Sequence, residues 1–150
     1  MRLFIATMFA LVATPAFAAE SLAFKVDISL SPLAAAKLAA LHEDVVGVAY
    51  YYGRPTPAAI KHADEEDRIN INAEDVTVDN TATSISFTGK IVKPAQISWL
   101  VNRQVRVTVN IASTNRSQPY NLLNCTIYDG TTSAAAANTP KISCKLLGAE

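Results

Sequence analysis

Alternation of apolar and polar positions dominates this chain. Leu22, Phe24, Val26, Ile28 and Leu30 fall on one side of a period of two, with Ala23, Lys25, Asp27 and Ser29 on the other. That pattern predicts a half-buried strand. Ser31-Pro32 follows, a capping residue ahead of a proline at the first helical position. Ala34, Leu38, Leu41 and Val45 then recur at helical spacing, so a short helix is expected from residue 32 to about residue 42, packed on a sheet. Residues 45–52 are apolar on both faces, the pattern of a central strand covered on each side, and Gly53-Arg54-Pro55-Thr56-Pro57 ends it.

Beyond a polar connection at residues 61–67, Ile69, Ile71 and Ala73 alternate, and so do Val76 and Val78. The phase changes at Glu74-Asp75, which calls for a turn or a bulge there. Ile85, Phe87, Gly89 and Ile91 define the next face, Ile97, Trp99 and Val101 follow, and Val105, Val107, Val109 and Ile111 make the longest alternation. Leu123, Cys125 and Ile127, then Ile142, Cys144 and Leu146, mark the last two strands, with an alanine run between them that suits one helical turn. About seven or eight short strands and one helix after the first imply a mainly β fold. An antiparallel β-sandwich is expected, with a small closed β-barrel as the alternative.

Residues 1–18 break this pattern and read as a secretory signal. Arg2 opens it, an apolar run fills residues 3–12, Pro15 breaks it, and Ala16-Phe17-Ala18 forms a small-residue cleavage site before Ala19. The expected organisation is a signal at 1–18 and a single sandwich domain at 19–150, in a periplasmic or secreted protein. Without the signal the chain carries one more acidic than basic residue, which argues against nucleic acid as a partner. No second apolar run approaches the roughly 20 residues of a membrane helix, so no span is expected after signal cleavage. In an oxidising compartment Cys125 and Cys144 should pair, closing a loop worth roughly 3 kcal/mol. A redox pair or a zinc site is the alternative, but the Cys-x-x-Cys spacing and accompanying ligands are missing.

The stretch from Val48 through Tyr50-Tyr51-Tyr52-Gly53-Arg54-Pro55, followed by Ala63-Asp64-Glu65-Glu66-Asp67-Arg68-Ile69-Asn70-Ile71, resembles transthyretin-like and carboxypeptidase-regulatory-like β-sandwich modules. In those a strand ends in Gly-x-Pro and an acidic turn of the Asp-x-x-Gly-Arg-aromatic kind leads into the next strand. Here Asp67 stands at the turn glycine and Ile69 at the aromatic. The resemblance implies a non-catalytic accessory or binding sandwich. As a whole the chain is similar to small exported proteins of Gram-negative bacteria, a likeness that brings no activity with it.

Three sets of residues carry candidate chemistry. His42-Glu43-Asp44 and His62 with Asp64, Glu65, Glu66 and Asp67 combine imidazole and carboxylate, donors suited to zinc or another divalent metal. His42, Glu43, His62, Asp64 and Glu66 would form such a site only if the two clusters met at one rim of the sandwich. Otherwise both are solvated turns. Tyr50, Tyr52 and Arg54 form the second set, because tyrosine and arginine bring large contact area at modest entropy cost. Their competing role is as core rings whose hydroxyls reach the rim. The third set, a hydrolytic triad, has its parts but no Gly-x-Ser-x-Gly elbow, and the five glycines never cluster into a phosphate loop.

The expectation is therefore a non-enzymatic exported module, without cofactor, that binds an envelope protein, polymer or small ligand. A divalent-metal-binding protein is the alternative, and an envelope hydrolase the third reading.

Overall fold

Strand β1 (Phe24–Leu30) buries Phe24, Val26 and Ile28 and turns Lys25 and Ser29 to solvent, as its alternation requires. These coordinates, a computed structural model, describe residues 21–149. The expected signal at 1–18 lies outside the described residues. Helix α1 (Pro32–Leu41) starts where the sequence placed it: Ser31 Oγ accepts from the Ala34 amide at 3.2 Å, with Pro32 in the first turn. It stops at His42, which adopts φ 53°. The His42 amide then reaches the Ala39 carbonyl and the Glu43 amide the Leu38 carbonyl. This double closure satisfies the last carbonyls of the helix. Ala34 and Leu38 bury the helix against the sheet.

The remaining strands are β2 (Val45–Gly53), β3 (Ile69–Val78), β4 (Ser84–Phe87), β5 (Arg106–Ser113), β6 (Leu123–Cys125), β7 (Tyr128–Thr131) and β8 (Lys141–Leu146). They form two four-stranded sheets, ordered β4-β1-β8-β6 and β3-β2-β5-β7. The architecture is a β-sandwich, since neither sheet closes into a barrel. Every pairing is antiparallel except β1 with β8, which run parallel from Asp27–Lys141 to Leu30–Cys144. Two further short helices, α2 (Pro94–Ile97) and α3 (Thr132–Ala137), sit in the connections, and α3 is the helical turn that the alanine run suggested.

The core lies between the two inner faces. Phe24, Val26, Ile85, Phe87 and Ile142 from the first sheet meet Val45, Ala49, Tyr51, Val107, Val109 and Ile111 from the second. Phe24 and Phe87, paired across β1 and β4, stack with centroids 5.2 Å apart. Gly53 is required by close approach. A side chain there would put its Cβ 2.7 Å from Leu100 Cδ1 and 3.0 Å from the Gln104 carbonyl.

Four local expectations are corrected. First, β2 is central in its sheet but covered on one face only: Val45, Gly47, Ala49 and Tyr51 are buried, while Val46, Val48 and Tyr52 are half-buried and Tyr50 is exposed. Apolar character on both faces therefore did not mean burial on both. Second, the irregularity in β3 is a bulge at Ile71, between the Tyr51–Asn72 and Tyr52–Asn70 pairs, and not at Glu74-Asp75. Glu74 instead faces inward, opposite Ala49, because its carboxylate has hydrogen-bonding work there.

Third, Ile97, Trp99 and Val101 are not strand. Pro94 starts α2, and a single 3-10 turn at Val101–Arg103 follows. Fourth, Ile127 leaves the face shared by Leu123 and Cys125 and is 66% exposed, because the chain crosses from β6 in one sheet to β7 in the other.

Cys125 and Cys144 are disulfide-bonded, as expected for this pair. They sit directly opposite each other on β6 and β8, so the bond clamps neighbouring strands of one sheet. Among the described residues no helix is long and apolar enough to cross a membrane.

Candidate binding face on the second sheet

The even-numbered residues of β2 point away from the core. Val46, Val48, Tyr50 and Tyr52 form a row flanked by Asn70, Ala73, Asp75 and Thr77 of β3 and by Arg106, Thr108, Asn110 and Ala112 of β5. None of these twelve side chains is buried. The two candidate tyrosines differ sharply within this face. Tyr50 is 46% exposed, and its hydroxyl makes no hydrogen bond among the described residues.

Tyr52 is anchored. Its hydroxyl donates to Asp129 Oδ2 at 2.6 Å and accepts from Arg106 Nε at 3.1 Å. Arg106 also pairs with Asp129, and Thr108 Oγ1 donates to the same carboxylate at 2.7 Å. The guanidinium groups of Arg68 and Arg106 lie 5.5 and 5.7 Å from the Tyr52 ring centroid, within cation–π range. Partial burial works against the Asp129 charge, but the bonds from Tyr52, Thr108 and Arg106 outweigh it and hold the carboxyl below its ordinary value. Hydrogen bonds to Tyr52 first and then to Asp129 push Arg106 upward in turn. Arg54 is exposed beyond the end of β2, where its carbonyl accepts from the Val101 amide at 2.9 Å.

Next to Tyr50 the face drops into an open groove of about 420 Å³. Val48, Tyr50, Asn110 and Ala112 line it from β2 and β5, and Asn121 and the stretch from Leu123 to Ile127 from the other side. Its origin is topological. β7 pairs β5 only along residues 106–109, so the remainder of β5 loses that neighbour where the chain dives to β6. Sequence reasoning missed this groove. Tyr50, Asn110 and Ile127 are far apart along the chain, and each reads as an ordinary strand or turn residue.

The metal candidates have separate structural tasks. Glu43 is fully buried and receives Thr114 Oγ1 at 2.6 Å, the Arg116 amide at 3.2 Å, and both the amide and the hydroxyl of Ser117 at 2.5 and 2.7 Å. Led by the Thr114 hydroxyl, these donors pull its pKa to about 2, against an opposing desolvation effect. Glu43 thus fastens the turn that follows β5, while His42 terminates α1. At the other cluster, Asp64 accepts the Glu66 and Arg68 amides at 2.9 and 3.0 Å and the Asn70 carboxamide at 2.7 Å. Glu66 pairs with Arg68, and His62 stacks on Trp99 with centroids 4.3 Å apart.

The nine residues of β2 separate the two clusters, roughly 27 Å of extended chain. His42 and Glu43 precede its first residue, whereas His62, Asp64 and Glu66 lead into Ile69, which pairs with Gly53 at its last. The structure does not bring them together, and among the described residues no three His, Cys, Asp or Glu side chains are grouped to hold a metal. Asp67 takes φ 54°, the backbone conformation glycine adopts freely.

Fold and face together define a two-sheet sandwich in which no element of the described residues covers the outer face of the second sheet, with an anchored charged cluster and an open groove on that face. No protein-family model, curated protein or solved structure matches the chain.

Proposed function

We propose that this protein is an exported, non-catalytic binding module that engages an envelope protein, polymer or small ligand through the outer face of its second sheet. One observation carries the reading. Tyr50 stands 46% exposed on a central strand, with its neighbours already held by their own hydrogen bonds. An aromatic ring on a rigid strand offers contact area at low entropy cost, and a rigid site loses little freedom on binding. The disulfide supports an oxidising compartment, consistent with the signal-like N-terminus. The two histidines support a non-catalytic role, since one closes a helix and the other stacks on Trp99.

The test is capture from envelope extracts by the immobilised protein, with Tyr50→Ala, Tyr52→Ala and Arg54→Ala in parallel. Tyr50→Ala should weaken capture by about 1–3 kcal/mol and leave stability unchanged. Capture that is indifferent to Tyr50 would overturn the reading. A reporter fused to residues 1–20 tests export separately: activity in the periplasm, with mature protein starting at Ala19, is the expected result.

A further inference from the structure

We infer that the groove beside Tyr50 is a binding site for a neutral oligosaccharide, an inference that rests on the binding-module reading and names its ligand class. The lining carries no charged side chain; its polar members include Tyr50, Asn110, Asn121 and Asn124, and Ile127 is exposed among its apolar ones. An anion would need a cation in that wall, and Arg106 is already engaged by Asp129 and Tyr52. Asp75 pairs with Val48 across the sheet but does not line the groove, so a cation finds no carboxylate there either. The ligand is therefore uncharged.

Its polarity follows from the groups left free. The carboxamides of Asn110 and Asn124 and the hydroxyl of Tyr50 make no side-chain hydrogen bonds among the described residues, whereas Asn121 spends both ends of its amide on Ser113 and Leu123. Each free carboxamide both donates and accepts, which matches sugar hydroxyls that do the same. The exposed Tyr50 ring and Ile127 side chain add apolar surface on which the C–H face of a sugar ring packs.

Shape favours a saccharide over a peptide. An extended peptide that joins a sheet needs a long unpaired backbone edge, but beyond Val109 β5 offers only the stretch from Asn110 to Ser113, and the Ser113 amide is already taken by Asn121 Oδ1. The volume lies within the ~300–1,000 Å³ typical of ligand sites. Strand backbone on one wall and disulfide-bonded Cys125 on the other hold the groove rigid, which matters for a ligand recognised by weak polar contacts.

Calorimetry on the purified protein tests this, using neutral tetrasaccharides of glucose, mannose, galactose and N-acetylglucosamine, with tetragalacturonate and an uncharged Gly-Ser peptide as competing probes. At least one neutral tetrasaccharide should bind with a Kd below about 1 mM. Tyr50→Ala should weaken that binding roughly tenfold, and Asn110→Ala and Asn124→Ala about threefold to tenfold each, with circular dichroism unchanged. Tyr50→Phe, which keeps the ring, should retain most of the affinity. No neutral probe bound at about 10 mM, tighter binding of the galacturonate or the peptide, or binding indifferent to Tyr50→Ala would each overturn the inference. If saccharide binding is absent while envelope capture remains Tyr50-dependent, the ligand class is wrong and the binding-module reading stands. Loss of both removes both.

Discussion

The Tyr51 hydroxyl donates to Glu74 Oε2 at 2.8 Å, joining a buried ring of β2 to a carboxylate on the neighbouring strand. Glu74 reaches further. It accepts the Thr88 amide and hydroxyl at 2.9 and 2.8 Å and the Gly89 amide at 2.9 Å, just past the end of β4. One carboxylate therefore ties the edge of the second sheet to the edge of the first. Burial works against its charge, but the Thr88, Gly89 and Tyr51 donors outweigh it and lower its pKa. Burial, reinforced by the Glu74 charge, pushes the Tyr51 hydroxyl far above its usual range, so it stays a donor throughout.

Tyr51→Phe removes one donor and leaves Glu74 three others. The expected cost is about 1–2 kcal/mol, as for a hydrogen bond to a charged acceptor. Glu74→Ala strands Tyr51, Thr88 and Gly89 together and should cost more, about 3 kcal/mol. Urea unfolding of both variants checks the order, and equal losses would contradict it.

Glu43 predicts a pH dependence of defined sign. Its folded pKa of about 2 lies below the ordinary 4.5, so its stabilisation is fully present above 4.5 and is lost as pH falls toward 2. Glu43→Gln should be less stable than wild type at pH 7. The gap should narrow between pH 4.5 and 2, followed by urea midpoints at successive pH values. A constant gap would mean that the Thr114–Ser117 turn does not depend on the carboxylate charge.

His42 adopts φ 53° to close α1. A side chain in that conformation costs about 1 kcal/mol relative to glycine, so His42→Gly should be more stable than His42→Ala by that amount. Thermal melts of the pair decide it, and the same comparison at Asp67, φ 54°, should go the same way. Equal stability of the Gly and Ala variants would contradict the expectation.

The Cys125–Cys144 bond closes a segment with a sequence separation of 19. Cys144→Ala should lower stability by about 3 kcal/mol on the chain-entropy account. Because Cys125 lines the groove, it should also loosen that wall. Denaturation with and without reductant, alongside thiol titration, gives the measurement. No free thiol should titrate in the unreduced protein.

Tyr52→Ala separates two roles that its sequence position confounds. Without the hydroxyl, Asp129 loses one donor and Arg106 one acceptor, a stability cost of about 1–2 kcal/mol, discounted for partial exposure. Tyr50→Ala should cost almost nothing in the same assay. A larger loss at Tyr50 than at Tyr52 would reverse the assignment of surface and anchor.

Local pattern alone determined the strands with one-sided alternation, the start of α1 and the pairing of the two cysteines. At Phe24–Ile28 and Val105–Ile111 every second side chain is apolar, so only one face could be buried whatever the partner. Ser31-Pro32 needs only its own helix to act as a cap. The rest depended on neighbours that the linear order does not reveal. The even face of β2 is apolar yet uncovered, because no element of the described chain packs on it. Glu74 points inward because Thr88 and Gly89, just past the edge strand of the other sheet, supply its donors. The acidic histidine clusters stay apart because a full strand lies between them, and the groove exists because β7 stops short of the end of β5. Burial and hydrogen-bond satisfaction are pairwise properties of space, so they became legible only once the two sheets were stacked.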